Sequence, residues 1–192
     1  MQTTYIETQT VSFQDFKNQI LADYKLGRIS REMSYMARRE VLTGKAKFGI
    51  VGDGKELPQL AMAKVFRNGD FRSGYYRDQT FALAVGALSV ESFFAQLYAD
   101  TSVEREPASA GRQMNGHFAT RSLNEDGTWK DLTQIKNISS DISPTAGQMP
   151  RLLGLAQASK IYRNVSGINQ TNFSENGNEI AWGTIGNAST SE

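Results

Sequence analysis

The segment IAWGTI, Ile180 to Ile185, constrains the fold more than any other stretch. It is apolar, and the turn-forming residues Asn178 and Gly186-Asn187 flank it, so it reads as one buried strand near the far end of the chain. A single strand leaves its backbone N–H and C=O groups unpaired and cannot make a sheet. Two alternatives stay open from the residues alone. Short strands are hidden in the loops around residues 47–51, 71–76 and 137–143, or the rest of the sheet lies in sequence outside this chain.

Most of the remaining pattern is helical. Residues 12–25 place Phe13, Phe16, Ile20, Leu21 and Tyr24 on one face at helical spacing, with Ser12 as N-cap. Residues 30–42 repeat the pattern, with Ser30 as a second cap, Met33, Met36, Ala37 and Val41 inward, and Gly44 as the stop. A third helix is expected from Pro58 to Phe66, and a long core-facing one over residues 79–98. Another is expected after Pro150, from Arg151 to Tyr162, with Leu152, Leu155, Ala156 and Ser159 as a close-packing face. Asp126-Gly127 marks an irregular hairpin or active-site loop, and NVSGINQTNFSENGN, residues 164–178, a surface loop.

Composition narrows the function. Lys and Arg total 21 against 20 Asp and Glu, a net charge of +1 that draws the chain to neither nucleic acid nor an anionic membrane. Absence of cysteine removes disulfides, thiolate metal sites and a cysteine nucleophile, and fits a reducing compartment. No apolar stretch is long enough to span a bilayer, and MQTTYIETQT lacks the features of a secretion signal. A cytoplasmic protein is expected.

Four motifs carry chemistry. GIVGDGKE, Gly49 to Glu56, nearly matches a nucleotide phosphate loop, but Glu56 stands where a hydroxyl must hold magnesium. His117 is the sole histidine, so multi-histidine metal sites are excluded, and no G-x-S-x-G elbow supplies a serine nucleophile. GYYRD, Gly74 to Asp78, combines two phenols with a guanidinium fork suited to a phosphate ester, yet an Arg-Asp pair with packed tyrosines has the same signature. Near the end, GNASTSE follows the expected strand as a turn suited to an anion or a metal.

The order GYYRD, GRQMNGHF (Gly111 to Phe118), SPTAGQMP (Ser143 to Pro150), then a strand ending in GNASTSE resembles one family. It is similar to the alpha part of the thiamine diphosphate-dependent first component of 2-oxo acid dehydrogenase complexes, of the branched-chain or general 2-oxo acid type. Residues 47–80 resemble the forms that fuse alpha and beta parts in one chain. The resemblance implies an α/β, thiamine diphosphate-binding fold, here its N-terminal portion, an incomplete parallel sheet with flanking helices. Residues 1–45 would be a helical arm and residues 46–192 a partial cofactor domain.

Carried over by position, Tyr76 and Arg77 fall where the family holds the cofactor diphosphate, with Tyr75 assisting. Ser143 and Thr145 fall where it contacts the aminopyrimidine, and His117 lies near the cofactor without an assigned chemical step. Asn187 stands in place of the acid that ligates magnesium, a neutral amide for a carboxylate, so metal affinity should fall. Gly147 replaces a potassium-binding threonine, and that ion is not expected. None of these residues is a catalytic proton carrier. The implied cofactors are thiamine diphosphate and magnesium. The implied partners are the beta part and a lipoyl-bearing acyltransferase, in an oligomer. A chain ending at Glu192 is expected to be an incomplete catalyst, the alternative being a non-catalytic interaction module.

Overall fold

The computed structural model describes residues 11–191. The opening MQTTYIETQT, read above for a secretion signal, and Glu192 lie outside the described residues.

Helix α1 runs unbroken over Phe13–Leu42. Ser12 caps it as expected, its Oγ accepting from the Asp15 amide at 3.1 Å. The second predicted start is not a start, because Ser30 does not cap. Its hydroxyl turns into the core, 2.6 Å from Thr80 Oγ1, and helix continues on both sides. Of the four residues expected inward in the second half, Met33 and Ala37 are buried and Val41 packs against their cluster, whereas Met36 is exposed. The first half of α1 leaves Phe13 80% and Tyr24 68% exposed, whereas Ser30, Met33, Ser34 and Ala37 are buried. Helical spacing finds the helix, but what packs against each face decides which is covered.

Helix α2 spans Glu56–Val65, with Pro58 in its first turn, where proline costs no hydrogen bond. The long helix expected over residues 79–98 is two: α3 at Gln79–Ala84 and α4 at Val90–Leu97. Gly86, at φ +77°, breaks the first, and Ser89 with Ser92 forms a reciprocal capping box that starts the second. Phe81 and Phe93 are nonetheless buried, as expected of a core-facing segment. Helix α5 spans Gln148–Asn164, beginning before Pro150.

Two of the three hidden strands exist. Strands β1 (Phe71–Ser73), β2 (Asn137–Ile138) and β5 (Ala181–Gly183) form a parallel sheet in the order β2-β1-β5, with Arg72 in register with Ile138 and Trp182. Residues 47–51 form no strand. The predicted terminal strand is shorter than IAWGTI and lies at a sheet edge, so Ile180 and Ile185 are exposed. Asp70 stitches that edge to β1, accepting from the Ile180 amide at 2.8 Å and Trp182 Nε1 at 3.0 Å. Gly183 lets α5 approach β5, because a Cβ there would sit 2.3 Å from Leu152 Cδ2.

The turn at Asp126-Gly127 makes one antiparallel bridge, Leu123 to Trp129. The loop at residues 164–178 contains a small hairpin, β3 (Gln170–Thr171) with β4 (Ser174–Glu175). One core cluster joins Met33 and Ala37 of α1 to Ala82, Phe93, Leu97 and Phe118, and a second sets Phe66 edge-on to Phe81 against Ile138. The helices and small parallel sheet make this an α/β fold. Among the described residues no helix is long and apolar enough to cross a membrane.

Candidate functional site

Three strands running the same way deliver the residues that follow them to one edge of the sheet, where ligands of open α/β folds bind. Tyr75, Tyr76 and Arg77 follow β1, Ser143 and Thr145 follow β2, and Asn187 follows β5. The topology thus brings the loops that carry six predicted residues, from three distant stretches, to one edge of the sheet.

Beneath them lies a buried polar cluster centred on Arg72, 1% exposed. Its Nη2 donates to Asp78 Oδ2 at 2.7 Å and to the Tyr75 carbonyl at 2.9 Å, and Nε reaches the same Asp78 oxygen at 3.0 Å. The Thr184 hydroxyl also donates to Asp78 Oδ2, and Asp141 Oδ1 lies 3.4 Å from Arg72 Nη2. The cluster joins the segments after all three strands. Arg72 Nη1 and both Asp141 oxygens have no hydrogen-bond partner among the described residues. Burial strips water from the Asp141 carboxyl and Asp78 repels its charge, effects that outweigh attraction to Arg72 and push its pKa up to about 7.

Asp78 therefore pairs with Arg72, and Arg77 is left without a carboxylate among the described residues. The Arg77 guanidinium instead lies 4.7 Å from the centre of the Tyr75 ring and 5.7 Å from that of Tyr76, the two rings being 4.5 Å apart. Arg77 Nε and Tyr75 Oη are buried with no partner among the described residues. Two strong donors without a protein acceptor, at the carboxyl edge of a parallel sheet, are able to donate to an anionic group. Gly186 sits against the same Tyr75 ring, where a Cβ would come within 3.1 Å of Cε2.

His117 and Ser143 meet directly. His117 Nδ1 lies 2.9 Å from the Met114 carbonyl, which can only accept, so Nδ1 carries the proton. Nε2 is then the acceptor for the Ser143 hydroxyl at 3.0 Å. Asn115 fixes the neighbouring loop by clasping Ile50, accepting from its amide and donating to its carbonyl, each at 2.8 Å. Gly116, at φ +88°, packs on the Tyr76 carbonyl, which brings the histidine loop beside GYYRD. Thr145 is exposed ahead of α5 and joins neither group.

Asn187 is exposed at the start of the 3-10 turn Ala188–Thr190. With Tyr75, Asp78 and Thr184 it lines a cavity of about 480 Å³ that Lys55 and Pro58 also line. The phosphate-loop reading of GIVGDGKE fails for a structural reason: Glu56 places its own carboxylate on the Gly54 amide, 3.1 Å away, and pairs with Arg31 at 2.6 Å. Arg72, Asp141 and Thr184 were missed by sequence reasoning. No local pattern links them, since each is polar in a short or irregular segment.

No protein-family model matches the chain. Comparison with curated proteins finds the 2-oxoisovalerate dehydrogenase subunit alpha of Bacillus subtilis (strain 168), 31% identical over 121 residues. The likeness is to a 2-oxo acid dehydrogenase alpha subunit. It covers 62% of this chain and 31% of the relative, so the matched region is about a third of the relative's length.

Proposed function

We propose that the chain forms the cofactor-anchoring part of a thiamine diphosphate-dependent 2-oxo acid dehydrogenase, which oxidatively decarboxylates a 2-oxo acid and passes the acyl group to a lipoyl domain. Residues 46–192 would be the cofactor unit and residues 1–45 its leading arm, the second half of α1 being built into the core. The beta part and a lipoyl-bearing acyltransferase would be its partners, in an oligomeric enzyme of the cytoplasm. The observation that carries this reading is the pair of buried, uncommitted donors, Tyr75 Oη and Arg77 Nε, at the carboxyl edge of a parallel sheet.

These donors fit a diphosphate. Arg77 would hold its charge, and Tyr75 and Tyr76 would add hydroxyls. Ser143, held by His117 Nε2, and Thr145 would orient the aminopyrimidine. When bound, the thiazolium supplies the nucleophilic carbon and the electron sink for decarboxylation. The protein residues anchor and orient, and none is assigned a proton transfer. The donors do not fit magnesium. Asn187 offers one neutral carbonyl, and Asp78, the carboxylate lining the same cavity, is committed to Arg72 and Thr184.

Calorimetric titration with thiamine diphosphate tests the proposal. Binding should weaken about tenfold or more in Arg77→Ala, the loss of a charge-assisted hydrogen bond. Thiamine without its diphosphate should bind far more weakly. Equal binding of the two, or no binding at millimolar thiamine diphosphate, would sink the reading.

A second reading, a non-catalytic interaction module, draws on the exposed row Phe13, Phe16, Ile20, Leu21 and Tyr24 along α1. Light scattering that shows a clean monomer argues against it.

A further inference from the structure

We propose that a second cation, the Lys55 ammonium on the cavity wall, assisted by the Asn187 amide, joins Arg77 in holding an anionic diphosphate, so that diphosphate binding is independent of a divalent metal. The inference rests on the thiamine diphosphate reading and adds to it the identity of a second counter-charge.

Charge bookkeeping within the cavity points there. Lys55 and Asp78 are its charged lining residues. Asp78 is neutralised from behind by Arg72 and receives the Thr184 hydroxyl on the same oxygen. The carboxylates nearest Lys55 in the chain are also taken. Glu56 pairs with Arg31 at 2.6 Å, and Asp53 with Arg38 at 2.9 Å, both arginines reaching across from α1. Lys55 itself forms no ion pair among the described residues. Two arginines thus quench the acids on either side of a lysine and leave its charge uncompensated on the wall of a cavity. A volume of about 480 Å³ is that of a small-molecule site, and Pro58, Met62 and Ile185 supply apolar wall around the charge.

Asn187 gains a physical reason in this arrangement. A carboxylate at that position would share the cavity with Lys55 and cancel it. An amide leaves the positive charge intact and adds two N–H donors that an anion can accept from. A flexible ammonium and an amide lining one cavity suit a phosphate group, which lysine ordinarily binds as a point charge.

The test is calorimetric titration of the full chain with thiamine diphosphate, once with magnesium and once with EDTA, repeated for Lys55→Gln and Lys55→Arg, with inorganic pyrophosphate as competitor. The expected result is an affinity equal in magnesium and EDTA within about twofold, weakened about tenfold or more by Lys55→Gln, retained by Lys55→Arg, and displaced by pyrophosphate. Binding in magnesium that disappears in EDTA overturns the inference while leaving the thiamine diphosphate reading standing. So does wild-type affinity in Lys55→Gln. Absence of binding under both conditions overturns that reading and this inference together. The EDTA comparison uses the unaltered chain and holds even where a variant fails to fold.

Discussion

Arg72 and Asp78 form a fully buried ion pair, Nη2 to Oδ2 at 2.7 Å, although neither side chain was expected to meet the other. Two charges out of water are tolerable together and costly apart. Asp78→Ala, which leaves the guanidinium only the more distant Asp141 carboxylate, should lower unfolding stability by about 3–5 kcal/mol in urea titration. A loss below about 1 kcal/mol would show that the pair is hydrated.

Gly74 stands directly over that pair. A Cβ at this position would lie 2.0 Å from Arg72 Nε, well inside contact distance. Gly74→Ala should therefore cost about 1–3 kcal/mol or more, by pushing Arg72 off Asp78. Wild-type stability in that variant refutes the close approach.

Asp141 makes stability depend on pH. Folding raises its pKa from 3.8 to about 7, so its contribution is full below the unfolded value and is lost as pH climbs through about 7. Asp141→Asn should flatten this part of the profile and be the more stable form on the alkaline side. Urea midpoints taken across that range decide the point, and identical slopes for both chains would contradict it.

In its neutral form the His117 ring should carry its proton on Nδ1, because the Met114 carbonyl 2.9 Å away can only accept. Long-range nitrogen-proton NMR correlation separates the two tautomers. A proton on Nε2 would mean that Ser143 is oriented the other way.

Two phenylalanines should answer mutation very differently. Phe81 is enclosed in the second core cluster, and Phe81→Ala should cost about 3–5 kcal/mol. Phe16 is 55% exposed on α1, and Phe16→Ser should change stability by no more than about 0.5 kcal/mol. Equal losses would place the first half of α1 against a covered surface.

This contrast also marks how far the sequence could be read. Periodicity located the helical stretches of α1, though as two helices where there is one, and the stretches of α2 and α5 were also read as helix, because a helix repeats its signal over several turns. It could not say that Phe13 to Tyr24 face solvent, since the alternative, a covered face, has the same spacing. Ser30 satisfied the local rule for a cap and was overruled by one tertiary partner, Thr80. Strands of two or three residues carry too few positions for alternation to register, so β2 was legible only as a region of several residues. For the candidate site, the motifs located the loops. The Arg72 cluster stayed invisible because Asp78, Asp141 and Thr184 become neighbours only after the chain has crossed the sheet twice.

The buried arginine has a mechanical consequence. Tyr75 and Asp78 of one loop, Asp141 of another and Thr184 of a third all bear on a single guanidinium and its partner carboxylate. Loops that share a keystone do not open singly. Amide exchange in the three segments should proceed with one common opening energy, so the rim of the cavity is stiff or slack as a whole.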